Sequence, residues 1–340
     1  MPAGRHPCCS PRTLVFSVRI TAREGCSMGT QSPPAWSLIL AGGDGLRLRP
    51  LTMQIAGDAR PKQFCPMLDG ETLLDRTRRR ASLISRPDRQ VIVVTRTHES
   101  YYGALASELF PDRLVVQPGN RGTAPGILYP ILRISELAGD VPVAILPSDH
   151  YVSDEEIFAG YVRAAISVVE EQQEIVVLLG IEPHHPEPEY GWIEPDAVPL
   201  PVGGEPAFPI RRFWEKPPDP VARRLLERGC LWNSFVMVGR VSGFLELIRH
   251  TAPDVMAVFE RARATLGTAS EAGTIERAYA SLPSVGFSER VLVGGCERLA
   301  TIKVKGVEWS DWGGAGRVFA SLASAGHRPS WMGGIDLAPR

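Results

Sequence analysis

The chain has 340 residues, 44% hydrophobic and 22% charged, which excludes disordered, collagen-like and coiled-coil chains and leaves one large α/β domain or two smaller ones. Thirty-seven Lys and Arg against thirty-eight Asp and Glu give a net charge of −1, so a phosphate-neutralising surface for nucleic acid is not expected. The six cysteines, Cys8, Cys9, Cys26, Cys65, Cys230 and Cys296, form no C-x-x-C pair and are too sparse for a disulfide scaffold, which fits a reducing, cytoplasmic setting.

Residues 1–31 carry Arg5, Arg12, Arg19 and Arg23 against one acid, Glu24, around a short apolar patch, Leu14-Val15-Phe16, that falls short of a signal peptide. They read as a tail, with Met28 as an alternative start. No apolar run approaches the ~20 residues of a membrane helix. From Trp36 onward, β-rich runs at Trp36–Ala41, Val91–Thr95, Leu114–Gln117, Val141–Leu146 and Ile175–Ile181 alternate with helical patterns at Thr72–Ser85, Ala104–Phe110, Gly126–Leu137 and Phe158–Glu171. Near-continuous Val, Ile and Leu in those strands predict burial on both faces, hence an α/β, doubly wound, mostly parallel sheet.

After Ile181 prolines gather (Pro183, Pro186, Pro188, Pro195, Pro199, Pro201) around short strands at Tyr190–Ile193 and Ile210–Trp214. This predicts an inserted lid or second layer over about 182–310. Helices are expected at Pro220–Glu227, Ser242–His250 and Ala252–Ala264, a strand at Leu299–Val304, and a last helix from about Gly316 to Ser324. There is no internal repeat. The domain is bounded at 32–325, with 326–340 read as a C-terminal tail.

The first strand runs into Ala41-Gly42-Gly43-Asp44-Gly45-Leu46-Arg47, a glycine loop at the carboxyl end of a strand, where open α/β sheets bind ligands. Its N–H groups can approach phosphate oxygens without interference from a Cβ, and Arg47 can add a charged fork. A dinucleotide fingerprint would need glycine where Leu48 stands, and the Gly-Lys-Ser/Thr of a Walker A loop is absent. Taken alone, the loop reads equally well as a tight turn with a solvated arginine. Asp149 follows an apolar strand through Leu146-Pro147, which places it at the same sheet edge; taken alone it reads as a helix cap ahead of Asp154 and Glu155. Asp311, between Trp309 and Trp312, is a second acid, or a turn residue before Gly313-Gly314. Two carboxylates completed by phosphates and water suit Mg²⁺. His150 and the adjacent His184-His185 lack metal-ligand spacing and read as loop residues.

With Arg60-Pro61-Lys62-Gln63-Phe64 downstream, the glycine loop resembles the signature of the sugar-1-phosphate nucleotidyltransferases, and Pro-Lys-Gln-Phe is similar to the mannose-1-phosphate guanylyltransferase branch. Further family-like segments follow in order to about Ala320: Gln117-Pro118-Gly119-Asn120-Arg121-Gly122-Thr123-Ala124-Pro125, Leu146-Pro147-Ser148-Asp149-His150, Tyr190-Gly191-Trp192, Phe213-Trp214-Glu215-Lys216-Pro217, Leu231-Trp232-Asn233-Ser234 and Trp309-Ser310-Asp311-Trp312-Gly313. The resemblance implies a Rossmann-like nucleotidyltransferase sheet and transfer of GMP from GTP to mannose 1-phosphate. Arg47, Lys62, Asp149 and Lys216 would then be catalytic. Ala41, Gly42, Gly43, Gly45, Arg47, Lys62, Gln117, Gly122, Thr123 and Ala124 would hold the nucleotide, and Tyr190, Gly191, Glu215, Lys216 and Asn233 the sugar phosphate. Asp149 and Asp311 would hold Mg²⁺ or another divalent cation.

Three positions depart from the family pattern: Gln117 where Glu is usual, Gly122 where Asn is usual, and Phe235 where Gly is frequent. The stretch from Thr52 to Pro61 is also longer than in many relatives. Another nucleotide (UTP, ATP or dTTP) with glucose 1-phosphate, or a catalytically silent sensor of nucleotide sugars, remain alternatives. No nucleic-acid or membrane partner is expected, and a homodimer is open. Bifunctional family members carry a further C-terminal isomerase domain, for which residues 326–340 leave no room.

Overall fold

The computed structural model describes residues 34–110 and 112–334; the expected tail 1–31 and residues 335–340 lie outside the described residues. The first half comprises β1 (Trp36–Leu40), α1 (Arg49–Ala56), α2 (Leu73–Ser82), β2 (Gln90–Thr95), α3 (Glu99–Ala106), β3 (Leu114–Gln117), α4 (Thr123–Ala138), β4 (Pro142–Pro147), β5 (Tyr151–Val152) and α5 (Glu155–Glu171). The second comprises β6 (Val176–Ile181), β7 (Gly191–Pro195), β8 (Ala207–Glu215), α6 (Asp219–Glu227), β9 (Leu231–Arg240), α7 (Val241–Thr251), α8 (Pro253–Arg263), α9 (Glu271–Ser281), β10 (Leu299–Val304), β11 (Trp309–Ser310) and α10 (Ala315–Ser324).

Nine strands form one sheet in the order β3-β2-β1-β4-β9-β6-β10-β8-β7. The ladder β3-β2-β1-β4 is parallel throughout, with Ile39 opposite both Ile92 and Leu146. Alternate residues of these strands face opposite cores. Leu38, Val93 and Ile145 pack towards α4, α7, α8 and α9, whereas Ile39, Ile92 and Leu146 pack towards α2, α3 and α5. Helices on both faces explain the unbroken apolar strands, and this is the doubly wound, Rossmann-like arrangement.

The parallel rule stops at β9, a strand absent from the sequence-based elements. It runs antiparallel to β4 and to β6. Nor does the stretch 182–310 form a layer of its own. β7, β8, β9 and β10 are all strands of the one sheet, and β7 pairs with both β8 and β9, so β9-β6-β10-β8-β7 closes on itself as a ring of five strands. The ring shifts register twice, between Glu194 and Pro195 of β7 against β8 and between Leu178 and Gly180 of β6 against β9, and at the latter Phe235 adopts a left-handed φ of 58°. That conformation suits glycine, and it accounts for Phe235 falling where relatives often have one.

The long stretch after Thr52 holds most of α1, which ends at Gly57 with φ 80°. The expected C-terminal tail is docked where it is described: Trp331 Nε1 donates to the Met67 carbonyl at 3.0 Å and its ring lies beside Phe319. No helix among the described residues is long and apolar enough to cross a membrane.

Candidate functional site

The glycine loop leaves β1 between the ends of β2 and β4. Ser148 fixes the join, donating both its N–H (3.0 Å) and its Oγ (2.6 Å) to the Leu40 carbonyl, so residues 41–45 and 149 lie side by side. Gln63 braces the loop from beneath. Its buried Nε2 donates to the carbonyls of Ala41 (3.1 Å) and Gly43 (2.7 Å), while the Ala41 N–H stays in the sheet, donating to the Val93 carbonyl at 2.8 Å. Thr95 Oγ1 holds the Gly42 carbonyl at 2.8 Å. Beside the loop is a cavity of about 310 Å³, lined by Gly42, Gly43, Gln117, Gly122, Thr123 and Ser284 among others. This is the expected nucleotide side.

A segment that sequence reasoning left unassigned, residues 279–287, clamps the far wall of that cavity. Tyr279 Oη donates to Gln117 Oε1 at 3.0 Å, the Val285 carbonyl accepts from Ala124 N–H at 3.0 Å, and Thr123 Oγ1 accepts from Phe287 N–H at 2.7 Å. The Ala124 amide and the Thr123 hydroxyl, both expected at the nucleotide, are therefore committed to this clamp. It also explains why residue 122 is glycine. Its φ is 84°, and a Cβ there would lie 2.4 Å from the Val285 carbonyl oxygen. Gly122→Ala is accordingly expected to cost about 3 kcal/mol through strain and displacement of the clamp, read as a drop of several degrees in melting temperature.

The segments that carry the two acids come together through a two-stranded ladder. β5 follows Asp149-His150 and β11 precedes Asp311; Tyr151 pairs antiparallel with Ser310, which sets Asp311 across from His150. Trp312 anchors the second segment, fully buried at φ 46° and stacked on Tyr151 with ring centroids 5.2 Å apart. Lys62 joins the two segments. Its buried ammonium lies 3.3 Å from Asp149 Oδ2, donates to the Asp311 carbonyl, and donates to the Trp312 carbonyl at 3.1 Å. Burial works to raise the pKa of Asp149, but the charge of Lys62 and the neighbouring His150 outweigh it and hold the carboxyl below its usual range.

Asp149 does not cap a helix. That position is filled by Asp154, whose Oδ1 accepts from Ile157 N–H at 2.9 Å. Asp311 does make the turn contact expected of a turn residue, with Gly313 N–H donating to Oδ1 at 2.7 Å, and the same oxygen faces Arg317 Nε at 3.2 Å. Among the described residues no three His, Cys, Asp or Glu side chains converge into an all-protein metal cage. The acids Asp149 and Asp311 offer only oxygen donors, a set that fits a hard divalent cation completed by phosphates and water.

On the side expected to take the sugar phosphate, β7, β8 and β9 bring Gly191, Glu215 and Asn233 to one spot: a Cβ on Gly191 would lie 3.2 Å from Glu215 Oε2 and 3.3 Å from Asn233 Cβ. Glu215 is pushed up by burial against the opposing pull of Lys216, whose Nζ is 3.1 Å away. Lys216 itself sits at φ 45°, its N–H donating to the Tyr190 carbonyl at 3.2 Å. The Tyr190 side chain turns away from this group. It packs edge-on to Trp232 and Trp309, and burial raises its hydroxyl to about 12.

Arg47 is not drawn into the Lys62 group. It reaches across the opening to Glu189, Nη1 to Oε2 at 3.2 Å, with both side chains more than half exposed. Gln63, Tyr279 and Arg317 are site residues that sequence reasoning missed. Gln63 lay inside a quoted motif; Tyr279 and Arg317 carried no local signal.

Over residues 36–317 the sequence matches the nucleotidyl transferase family. The xanthan biosynthesis protein XanB of Xanthomonas campestris is 31% identical over 228 residues, 66% of this chain and 46% of that protein. A mannose-1-phosphate guanylyltransferase of Klebsiella pneumoniae is 27% identical over 288 residues, 81% of this chain and 57% of its own. The chain thus spans about half the length of the curated relatives it matches. Among solved structures, one titled mannose-1-phosphate geranyltransferase, from Thermus thermophilus, superposes with a TM-score of 0.71 at 30% identity, covering 84% of this chain and 79% of that one. A UDP-glucose pyrophosphorylase solved with UDP-glucose shares the fold, with a TM-score of 0.51 at 17% identity over 87% of this chain and all of that one.

Proposed function

Because the chain belongs to the nucleotidyl transferase family, we propose that it transfers GMP from GTP to mannose 1-phosphate, releasing pyrophosphate and forming GDP-mannose. The observation that carries this reading is the position of buried Lys62. It links Asp149 to the Asp311-Trp312 segment at the sheet edge where the glycine loop emerges. The mannosyl and guanylyl choices are supported by the Pro61-Lys62-Gln63-Phe64 motif and by the relatives' names.

In the reaction an oxygen of the sugar phosphate bonds to the α-phosphorus of the nucleotide, and the bond from that phosphorus to the bridging oxygen breaks, its electron pair leaving with pyrophosphate. The attacking oxygen is already anionic, so no general base or covalent nucleophile is required; the barrier lies in bringing anions together. Residues 42–45 of the loop would wrap the phosphates through their N–H groups, with Gln63 bracing the Ala41 and Gly43 carbonyls; the Ala41 N–H is taken by Val93. Arg47, attached only by an exposed ion pair, can swing onto the triphosphate. Lys62 would bear on the phosphates from below, and Lys216 with Glu215 and Asn233 would seat the sugar phosphate. A divalent cation held by Asp149 and Asp311 would supply charge neutralisation between the two phosphates.

The test is pyrophosphate release with Mg²⁺ across GTP, UTP, ATP and dTTP and several sugar 1-phosphates. GTP with mannose 1-phosphate is expected to give the highest kcat/KM. A preference for UTP or dTTP with glucose 1-phosphate would favour the second reading, for which the neutral amide of Gln117 in the cavity wall is the supporting observation. Absence of turnover with every pair would leave a nucleotide-sugar sensor.

A further inference from the structure

Five charged groups meet at the opening between the glycine loop and β11. Arg317, at the start of α10, is 19% exposed and spreads its guanidinium over three carboxylates: Nε lies 3.2 Å from Asp311 Oδ1, Nη1 lies 3.3 Å from Glu187 Oε2, and Nη2 donates to Glu189 Oε2. Its Cζ stands 5.0 Å from the centre of the Tyr190 ring. The same Glu189 oxygen takes Arg47, so the two arginines share one acceptor. They also share one space. A Cβ on Gly313 would fall 2.6 Å from both Arg317 Nη2 and Asp311 Oδ2 and 3.0 Å from Arg47 Nη2, so groups from three segments converge where glycine leaves room.

The bonds in this chain are unequal. The exposed Arg47–Glu189 pair is weak and screened. Arg317 is three-quarters or more buried together with Asp311 and Glu187, and its planar fork matches several carboxylate oxygens at once, as an ammonium cannot. A triphosphate can therefore draw Arg47 off Glu189 while Arg317 stays in place.

We propose that Arg317 is a positioning residue of the transfer centre: it fixes the Asp311 carboxylate and holds Glu189 as the resting seat of Arg47, so that Asp311 and Arg47 are delivered to one point. This rests on the reading of Asp311 and Arg47 as parts of a nucleotidyl-transfer site. It has an unusual corollary. A cation bonded to Asp311 lowers that acid's attraction for a second cation, so removing Arg317 strengthens ion binding even as it disorders the site.

The test compares the full chain with Arg317→Gln, Arg317→Lys and Asp311→Asn by calorimetric titration with Mg²⁺ alone, by turnover on the best substrate pair, and by thermal melting. Arg317→Gln is expected to bind Mg²⁺ several-fold more tightly yet turn over about tenfold more slowly. Arg317→Lys keeps the charge, the melting temperature and the parent's Mg²⁺ affinity, and still loses about tenfold in turnover because the fork is gone. Parent-like turnover in both variants overturns the proposal. So does parallel loss of Mg²⁺ binding and melting temperature in Arg317→Gln, the signature of a mere prop. Should Arg317→Gln fail to fold, Arg317→Lys decides: slower turnover at the parent's melting temperature supports the proposal, and parent turnover overturns it. Asp311→Asn separates the two levels. If it turns over like the parent, Asp311 leaves the transfer site and the proposal falls with it; if it is slow while the Arg317 variants are fast, the proposal alone falls.

Discussion

Asp149→Asn is expected to lose about a hundredfold or more in turnover while melting only a few degrees below the parent, through the loss of its ion pair with Lys62. Asn preserves the size and the hydrogen-bonding outline of the side chain, so the join between β4 and the glycine loop, made by Ser148, is untouched. What disappears is one negative charge beside Lys62. A weakened hold on a divalent cation between two phosphates costs several kcal/mol of transition-state stabilisation, which sets the size of the kinetic loss. Because Asp154 caps α5, no helix end is disturbed. Pyrophosphate release and a thermal melt on the same preparation check the prediction, and near-normal turnover would remove Asp149 from the chemistry.

Lys62→Met should lose as much turnover but differ in a second respect: it is expected to lose stability as well, by about 2 kcal/mol and hence roughly 5 degrees of melting temperature. Its ammonium satisfies one carboxylate and two carbonyls, on two chain segments, and Met replaces the volume without a donor. The pH dependence follows from the sign of the Asp149 shift. In the parent the folded carboxyl titrates below its unfolded value, so its stabilising contribution is complete at neutral pH and is lost as pH falls below about 4. Without Lys62 only His150 and a backbone hydrogen bond are left to oppose burial, and the ionised carboxyl loses its main stabilising partner. The gap between parent and variant should therefore be widest at neutral pH and narrow through that acid range. Denaturant midpoints from pH 7 to pH 3 give the comparison, and a gap that does not change with pH would show that Asp149 and Lys62 are not coupled.

The parallel strands were legible because a strand covered on both faces needs no polar residue: Val91–Val94 and Val143–Leu146 are unbroken apolar runs. β9 was not, since it mixes Asn233 and Ser234 with apolar residues. Those polar residues are there for reasons periodicity does not encode. Ser234 Oγ donates to the Leu179 carbonyl at 2.6 Å inside the irregular ladder, and Asn233 meets Gly191 beside Glu215. α1 was hidden by Pro50 and Thr52 in what read as an extended glycine loop, although proline is well suited to a first helical turn. At the site, motifs gave residues but not their partners. Gln63 was quoted as a signature letter, yet only the fold shows its amide bonded to two loop carbonyls. Arg317 acquires its meaning from Glu187, Glu189 and Asp311, which are far from it in sequence or unremarkable beside it.

The ring β9-β6-β10-β8-β7 also bears on how the chain reaches this structure. The ladder β3-β2-β1-β4 lies wholly within residues 36–147, so it can form once that stretch has been made, even though β1 and β4 pair across more than a hundred intervening residues. The ring cannot. β6 must wait for β10, whose Leu299 pairs with Val176 across more than a hundred intervening residues, and β8 has no second neighbour until β10 arrives. Chain entropy therefore makes β10 the closing member of the ring, although Gly191, Glu215 and Asn233 are already brought together by the direct pairings of β7 with β8 and β9. During synthesis the edge that carries the glycine loop and Asp149 can be shaped while the ring still lacks its closing strand near residue 300, so these two parts of one sheet are separated in time before they are joined in space.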